Sequence, residues 1–148
     1  MIYLASDHAG FELKESLRKW LVEEGYEVKD FGAFSLIEKD DYPDFIKPLA
    51  KEISENPNDA KGIILGGSGQ GEAITANRFK NVRAVVYYGG QKEIIKLSRE
   101  HNDANILSLG ARFLSKEEAK DAVKIWLETS FSSEGDNERH LKRIKKID

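Results

Sequence analysis

Residues 62–79 read GIILGGSGQGEAITANRF, and the order of their parts decides the fold. GIIL is a short continuous apolar run with no polar alternation. That suits a strand buried on both faces of a parallel sheet. Four glycines within residues 66–71 follow it, and AITANRF then reads as a helix. Strand, glycine turn and helix make half of a βαβ unit, so the same alternation should extend on both sides.

It does. Strands are expected at residues 2–5, 26–30, 62–65, 83–87 and 106–109, with RAVVY at 83–87 read as a second run buried on both faces. Phe11, Leu13, Leu17, Trp20 and Leu21 recur at near-helical spacing, and Gly25 supplies a stop. Similar patterns cover 43–55, 71–79, 90–100 and 116–129. The stretch 31–44, with its acids, Gly32 and Pro43, reads as a long loop entering a helix near Pro43. Alternation of this kind implies right-handed βαβ units. The expected architecture is α/β, a three-layer doubly wound sandwich with a five-stranded parallel sheet. One domain is expected over 1–148, with a C-terminal basic helix at about 134–146.

Composition narrows the function classes. Hydrophobic residues at 40% and charged residues at 33% indicate a globular chain and exclude a disordered one. With no cysteine, disulfides, thiolate metal sites and a cysteine nucleophile are all excluded. The net charge of −3 argues against nucleic-acid or anionic-membrane partners. That charge is unevenly spread: the last ten residues total +4, leaving −7 on the first 138. The opening MIYLASDHAG lacks a basic n-region, and no apolar stretch reaches transmembrane length. A soluble, cytoplasmic protein is the expectation.

Ligands of such sheets bind at the carboxyl ends of the strands. The loop GGSGQGE at 66–72 bares backbone N–H groups able to curve around an anion, at the start of a helix. Glu72 is the odd member, because a carboxylate repels phosphate. It fits better if Gly67, Ser68, Gly69 and Gly71 hold a transient oxyanion while the acid moves a proton. The plainer reading is a tight turn with a first-turn acid favoured by the helix dipole. The Gly-Lys-Ser/Thr ending of a phosphate-binding P-loop is missing.

Asp7 and His8 follow the first strand; Asp7 can be explained as a helix cap, His8 less easily. SREHNDAN at 98–105 is either a capped, solvated turn or, through His101 and Asn102, part of a site. No spacing favours a metal. In ERHLKRIKK at 138–146, Arg139, Arg143 and Lys146 fall within about 60° on a helix, with Leu141 and Ile144 opposite. Two arginines one turn apart can grip a phosphate, although a solvated basic face is the commoner meaning of such a run.

DHAG near residue 7, GGSGQGE…AN at 66–77, SREHNDAN at 98–105, LGAR at 109–112 and RH…R at 139–143 occur together and in order. With these motifs the chain resembles, over nearly its whole length, the type B ribose-5-phosphate isomerases. Their group also contains galactose- and allose-6-phosphate isomerases. Most members carry Cys at the position of Gly66 as the proton-transferring base. A second branch lacks it and has Glu at the position of Glu72 after GGSG, and this sequence matches that branch.

The resemblance implies a cofactor- and metal-free aldose–ketose isomerisation of a phosphosugar, ribose 5-phosphate to ribulose 5-phosphate. His101, assisted by Asp7, would open the ring. Glu72 would carry the proton between C2 and C1, and Ser68 with the glycine-loop N–H groups would hold the enediolate. Arg139, Arg143, His8 and Arg112 would hold the phosphate, and Asn102 the sugar hydroxyls. The site would lie between subunits of a homodimer or dimer of dimers. Rival readings are a tetrose 4-phosphate or hexose 6-phosphate isomerase, a non-catalytic phosphosugar-binding module, and a nucleic-acid binder using the basic tail.

Overall fold

The apolar runs pair into one sheet in a computed structural model that describes residues 1–132 and 134–147. In chain order the elements are β1 (Ile2–Ser6), α1 (Phe11–Glu23), β2 (Val28–Asp30), α2 (Tyr42–Glu55), β3 (Lys61–Gly66), α3 (Gln70–Ala76), β4 (Ala84–Tyr87), α4 (Glu93–Glu100), β5 (Ile106–Gly110), α5 (Lys116–Glu128) and α6 (Glu138–Ile144). The strands lie in the order β2-β1-β3-β5-β4, and every pair is parallel.

Alternate side chains of a strand point to opposite faces, so the central strands feed two cores. Ile2, Leu4, Ile63, Leu65, Leu107 and Leu109 meet Leu13 and Leu17 of α1, Ile95 of α4 and Trp126 of α5. Tyr3, Ala5, Ile64 and Ile106 meet Ile46, Leu49 and Ile53 of α2 and Ala76 of α3. The result is the expected three-layer, doubly wound α/β sandwich.

Element ends move where local bonds compete. The second strand begins at Val28 and not at residue 26, because the Tyr26 N–H donates to the Leu21 carbonyl at 2.9 Å in closing α1. Gly25 makes that turn at φ +87°. The third helix stops at Ala76 because the Asn77 side chain exchanges bonds of 2.9 and 2.8 Å with the Ala84 backbone, drawing the chain towards β4. The expected helix at 134–146 is shorter, a 3-10 turn at Gly135–Asn137 followed by α6. Leu141 and Ile144 are half-buried on it, as their spacing predicts. Ser133 and Asp148, the latter the expected end of the domain, lie outside the described residues.

RAVVY is the strand whose expected burial needs correcting. β5 inserts between β3 and β4, so β4 becomes an edge, and Ala84, Val85 and Val86 are only half-buried. At the other end of the topology, β1 neighbours both β2 and β3. Strand order reverses there, and sheets of this kind bind ligands in a crevice at such a switch point, here beyond the carboxyl ends of β1 and β3.

Candidate active site

That crevice is where the glycine loop lies. Gly69 stands in the left-handed region at φ +77°, and a Cβ there would press on Ser108 Oγ and the Leu109 backbone at 3.0 Å. Ser108, buried in β5, anchors the turn by donating its hydroxyl to the Gly69 carbonyl at 2.6 Å. Ala111 and Arg112 donate backbone N–H groups to the carbonyls of Gly66 and Gly67 at 2.8 and 3.1 Å. With its carbonyls so engaged, the loop is rigid. Among the described residues no acceptor takes the N–H groups of Gly67, Ser68 or Gly69.

Glu72, in the first turn of α3, is 3% exposed. Burial pushes its carboxyl above the ordinary value of 4.5, its own backbone N–H pulls back, and the nearby Asp7 charge adds to the rise. The carboxylate fills the space that any side chain at position 66 would need. A buried acid with a raised pKa beside unpaired N–H donors can accept and return a proton while an adjacent oxyanion is held.

Asp7 and His8 line the same crevice from the end of β1. Asp7 Oδ1 accepts from the N–H groups of Ala9 and Gly10 at 2.9 and 3.1 Å, so it closes the turn that leads into α1, whose own N-cap is Gly10 with no side-chain bond, and the expected helix cap is not formed. His8 is half-buried, and its Nδ1 lies 2.7 Å from Asp40 Oδ1. The Arg112 guanidinium lies against Gly67, and the Tyr42 ring against Gly71. Asp40 and Tyr42 were not singled out in the sequence. Each belongs to the stretch around the β2–α2 loop, which carries no motif. Asp7, His8 and Asp40 are also the group among the described residues whose potential metal-ligand atoms all fall within 4.8 Å, although the histidine nitrogen there is already hydrogen-bonded.

The remaining candidates lie elsewhere. His101 follows α4 and precedes β5, so it sits at the amino end of the strands. The run around it divides by role. Arg99, 6% exposed, bonds Asp103 Oδ1 at 2.8 Å and the carbonyls of Ala104 and Thr129 at 2.6 and 3.2 Å. Asn105 accepts from the Arg83 N–H at 2.8 Å. These residues build the turn and leave His101 and Asn102 partly or fully exposed on it.

The His140 ring stacks on His101 with centroids 4.2 Å apart and planes 12° from parallel. His140 stands in the RH…R motif at 139–143, which gave it no role. The stack fixes α6 beside the turn. Arg139, Lys142, Arg143 and Lys146 then line a cleft of about 740 Å³ whose walls, among the described residues, come from residues 135–146. Burial and the neighbouring charges of His101, Arg139 and Arg143 lower the His140 pKa.

The structure therefore forms two clusters: Asp7, His8, Ser68, Glu72 and Arg112 at the carboxyl end of the sheet, His101, Asn102, Arg139 and Arg143 at the amino end. β5 alone separates those ends by about 13 Å.

Comparison with known proteins places this geometry. The family described as Ribose/Galactose Isomerase matches residues 2–147. Ribose-5-phosphate isomerase B of Mycolicibacterium paratuberculosis is 40% identical over 143 residues, covering 97% of this chain and 86% of that protein. The Escherichia coli protein of the same name is 38% identical, covering 99% and 93%. The crystal structure of ribose-5-phosphate isomerase B from Mycoplasma genitalium with bound ribulose-5-phosphate superposes with a TM-score of 0.91 at 34% identity, over 99% of this chain and 92% of that one.

Proposed function

Because the chain belongs to the ribose/galactose isomerase family, we propose that it interconverts ribose 5-phosphate and ribulose 5-phosphate through an enediolate. The observation that carries the proposal is Glu72, buried, proton-accepting and set beside the unpaired N–H groups of the glycine loop. His101, with Asp7, opens the furanose. Glu72 removes the C2 proton, and the electron pair left behind moves through C1=C2 onto the C1 oxygen. The N–H groups of Gly67, Gly69 and Gly71 and the Ser68 hydroxyl hold that charge. Each well-placed donor is worth roughly 2.7–4 kcal/mol in such a site. The O2 proton passes to O1, and Glu72 returns its proton to C1. Arg139, Arg143, His8 and Arg112 hold the phosphate, Asn102 a sugar hydroxyl.

The working unit is a homodimer in which each site takes one cluster from each subunit. Glu72 and His101 must touch the same pentose, yet they lie at opposite ends of one sheet. Two surface features favour a second copy. Among the described residues no strand pairs the outer edge of apolar β4, where Asn77 takes the backbone groups of Ala84, and a groove of about 180 Å³ beside it, lined by Val85, Val86, Ile94 and Leu97, runs to Asn102.

The test is ketopentose formation from ribose 5-phosphate with EDTA present, alongside tetrose 4-phosphate and hexose 6-phosphate. Highest kcat/KM on ribose 5-phosphate, abolished by Glu72→Gln, supports the proposal; full activity of that variant contradicts it. Mixing the inactive Glu72→Gln and His101→Ala proteins tests the shared site. Random dimers should regain about a quarter of wild-type activity, since half are mixed and each of those has one intact site. No recovery places both residues in one subunit's site.

A further inference from the structure

We propose that Asp40 is a positioning residue of the site: it clamps His8 so that Nε2 alone is offered to the phosphosugar. The inference rests on the isomerase reading above and adds to it a specific role for the β2–α2 loop.

Asp40 lies 32 residues from His8 in the chain. One oxygen, Oδ1, receives both the His8 backbone N–H at 2.8 Å and the His8 ring through Nδ1 at 2.7 Å. A carboxylate has no proton to donate, so Nδ1 carries the proton in this pair. Nε2 is then the one ring nitrogen left to meet a ligand: bare, it accepts from a sugar hydroxyl, and only when the ring carries both protons does it donate to a phosphate oxygen. Two points of attachment on one acceptor fix the ring against the backbone.

Asp7 cannot take over. Its Oδ1 is engaged by the Ala9 and Gly10 N–H groups of the turn before α1, and its Oδ2 stands 3.9 Å from Nδ1, beyond hydrogen-bond reach. The loop is set for the purpose at its other end too. The Ser6 N–H donates to the Gly32 carbonyl at 2.7 Å and the Ala33 N–H to the Ser6 carbonyl at 2.8 Å, which lashes the start of the loop to the end of β1.

Loop anchoring by itself would need only an acceptor for the His8 N–H, and a serine could provide one. Instead a carboxylate side chain that is 11% exposed sits here, with Oδ2 buried and without a partner among the described residues. Burying a half-satisfied carboxylate is unfavourable, and the ring contact is what it provides in exchange.

The experiment compares wild type with Asp40→Ala, Asp40→Asn, His8→Ala and the Asp40→Ala/His8→Ala pair, with fold checked by circular dichroism. The readouts are the ¹⁵N signals of the His8 ring, the Kd of inorganic phosphate, and kcat and KM on ribose 5-phosphate. Asp40→Ala should lose the Nδ1–H preference and, because phosphate is met by the doubly protonated ring whose Nδ1–H the Asp40 carboxylate holds, weaken phosphate about tenfold. KM should rise by a similar factor, with kcat within about twofold. Asp40→Asn keeps an acceptor oxygen and should restore the tautomer and most of the affinity. In the double variant the Asp40 effect should vanish, because it acts through His8.

An unchanged His8 spectrum and phosphate affinity in Asp40→Ala would overturn the proposal. So would additive effects in the pair. Should Asp40→Ala fail to fold, the Asp40→Asn spectrum decides: a ring released from its tautomer refutes the assignment of Oδ1 as the clamp. Absence of isomerase activity in the wild type would defeat the isomerase reading alone, since the spectra and the phosphate titration do not depend on turnover.

Discussion

Replacing Gly66 with alanine places a methyl group where the Glu72 carboxylate lies. A Cβ built on the Gly66 backbone meets Oε1, Cδ and Oε2 of Glu72, all far inside contact distance. The backbone itself accepts the change, because Gly66 ends β3 and is not among the positive-φ glycines. Removing a glycine at a compatible position typically stabilises by about 0.4–1 kcal/mol through the unfolded chain. The clash falls on the far end of a flexible side chain, so the carboxylate must swing away while the fold stays. Stability and catalysis should therefore separate. The melting temperature should stay within a few degrees of wild type. Loss of a positioned general base should lower kcat by about 10²–10⁴-fold, or roughly 3–5 kcal/mol of barrier. KM should change little, since the phosphate is held by other residues. Ketopentose formation and a thermal melt on the same sample provide both numbers. Wild-type kcat in Gly66→Ala would refute the reasoning, because the carboxylate cannot keep its place once that methyl is present.

The raised Glu72 pKa has a sign that can be checked on stability. An acid whose folded pKa lies above its unfolded value stabilises below the unfolded value of 4.5, and that contribution is lost as pH rises through the folded value. Glu72→Gln should therefore melt higher than wild type at neutral pH, with the difference vanishing below 4.5. For the same reason the acidic limb of kcat/KM should turn above the ordinary carboxylate range, and a pH–rate profile measures it. Arg139→Ala should mainly raise KM for ribose 5-phosphate, read from steady-state kinetics. Arg99→Ala removes bonds to Asp103, Ala104 and Thr129 and should destabilise by about 1–3 kcal/mol in urea melts, since Asp103 is part-exposed and keeps its pair with Arg83.

Where a residue's meaning was local, the sequence carried it. GIIL and its glycine loop set strand, turn and helix in order, and Gly25 closes α1 as its placement suggests. Glu72 stands out because its charge conflicts with a phosphate-binding loop, while its burial is a finding of the structure. What depended on strand order did not show. RAVVY looks like a central strand but lies at the edge, since nothing in the chain announces that β5 will insert between β3 and β4. His101 presents a subtler case. A residue between a helix and the following parallel strand lies at the amino end of the sheet, so its separation from Glu72 was available from topology alone. Asp40 had no signal at all: its partner is 32 residues away, and only the folded loop brings them together. In SREHNDAN the chemical density was misleading for three members, because Arg99, Asp103 and Asn105 spend their polar groups on building the turn.

The central claim is that Glu72 moves a proton between C2 and C1 of a pentose phosphate, and proton NMR in D₂O tests it most directly. The protein is given ribose 5-phosphate with EDTA present. The account predicts ribulose 5-phosphate with solvent deuterium entering at C1, and neither conversion nor exchange with Glu72→Gln. Conversion and exchange undiminished in that variant would contradict it.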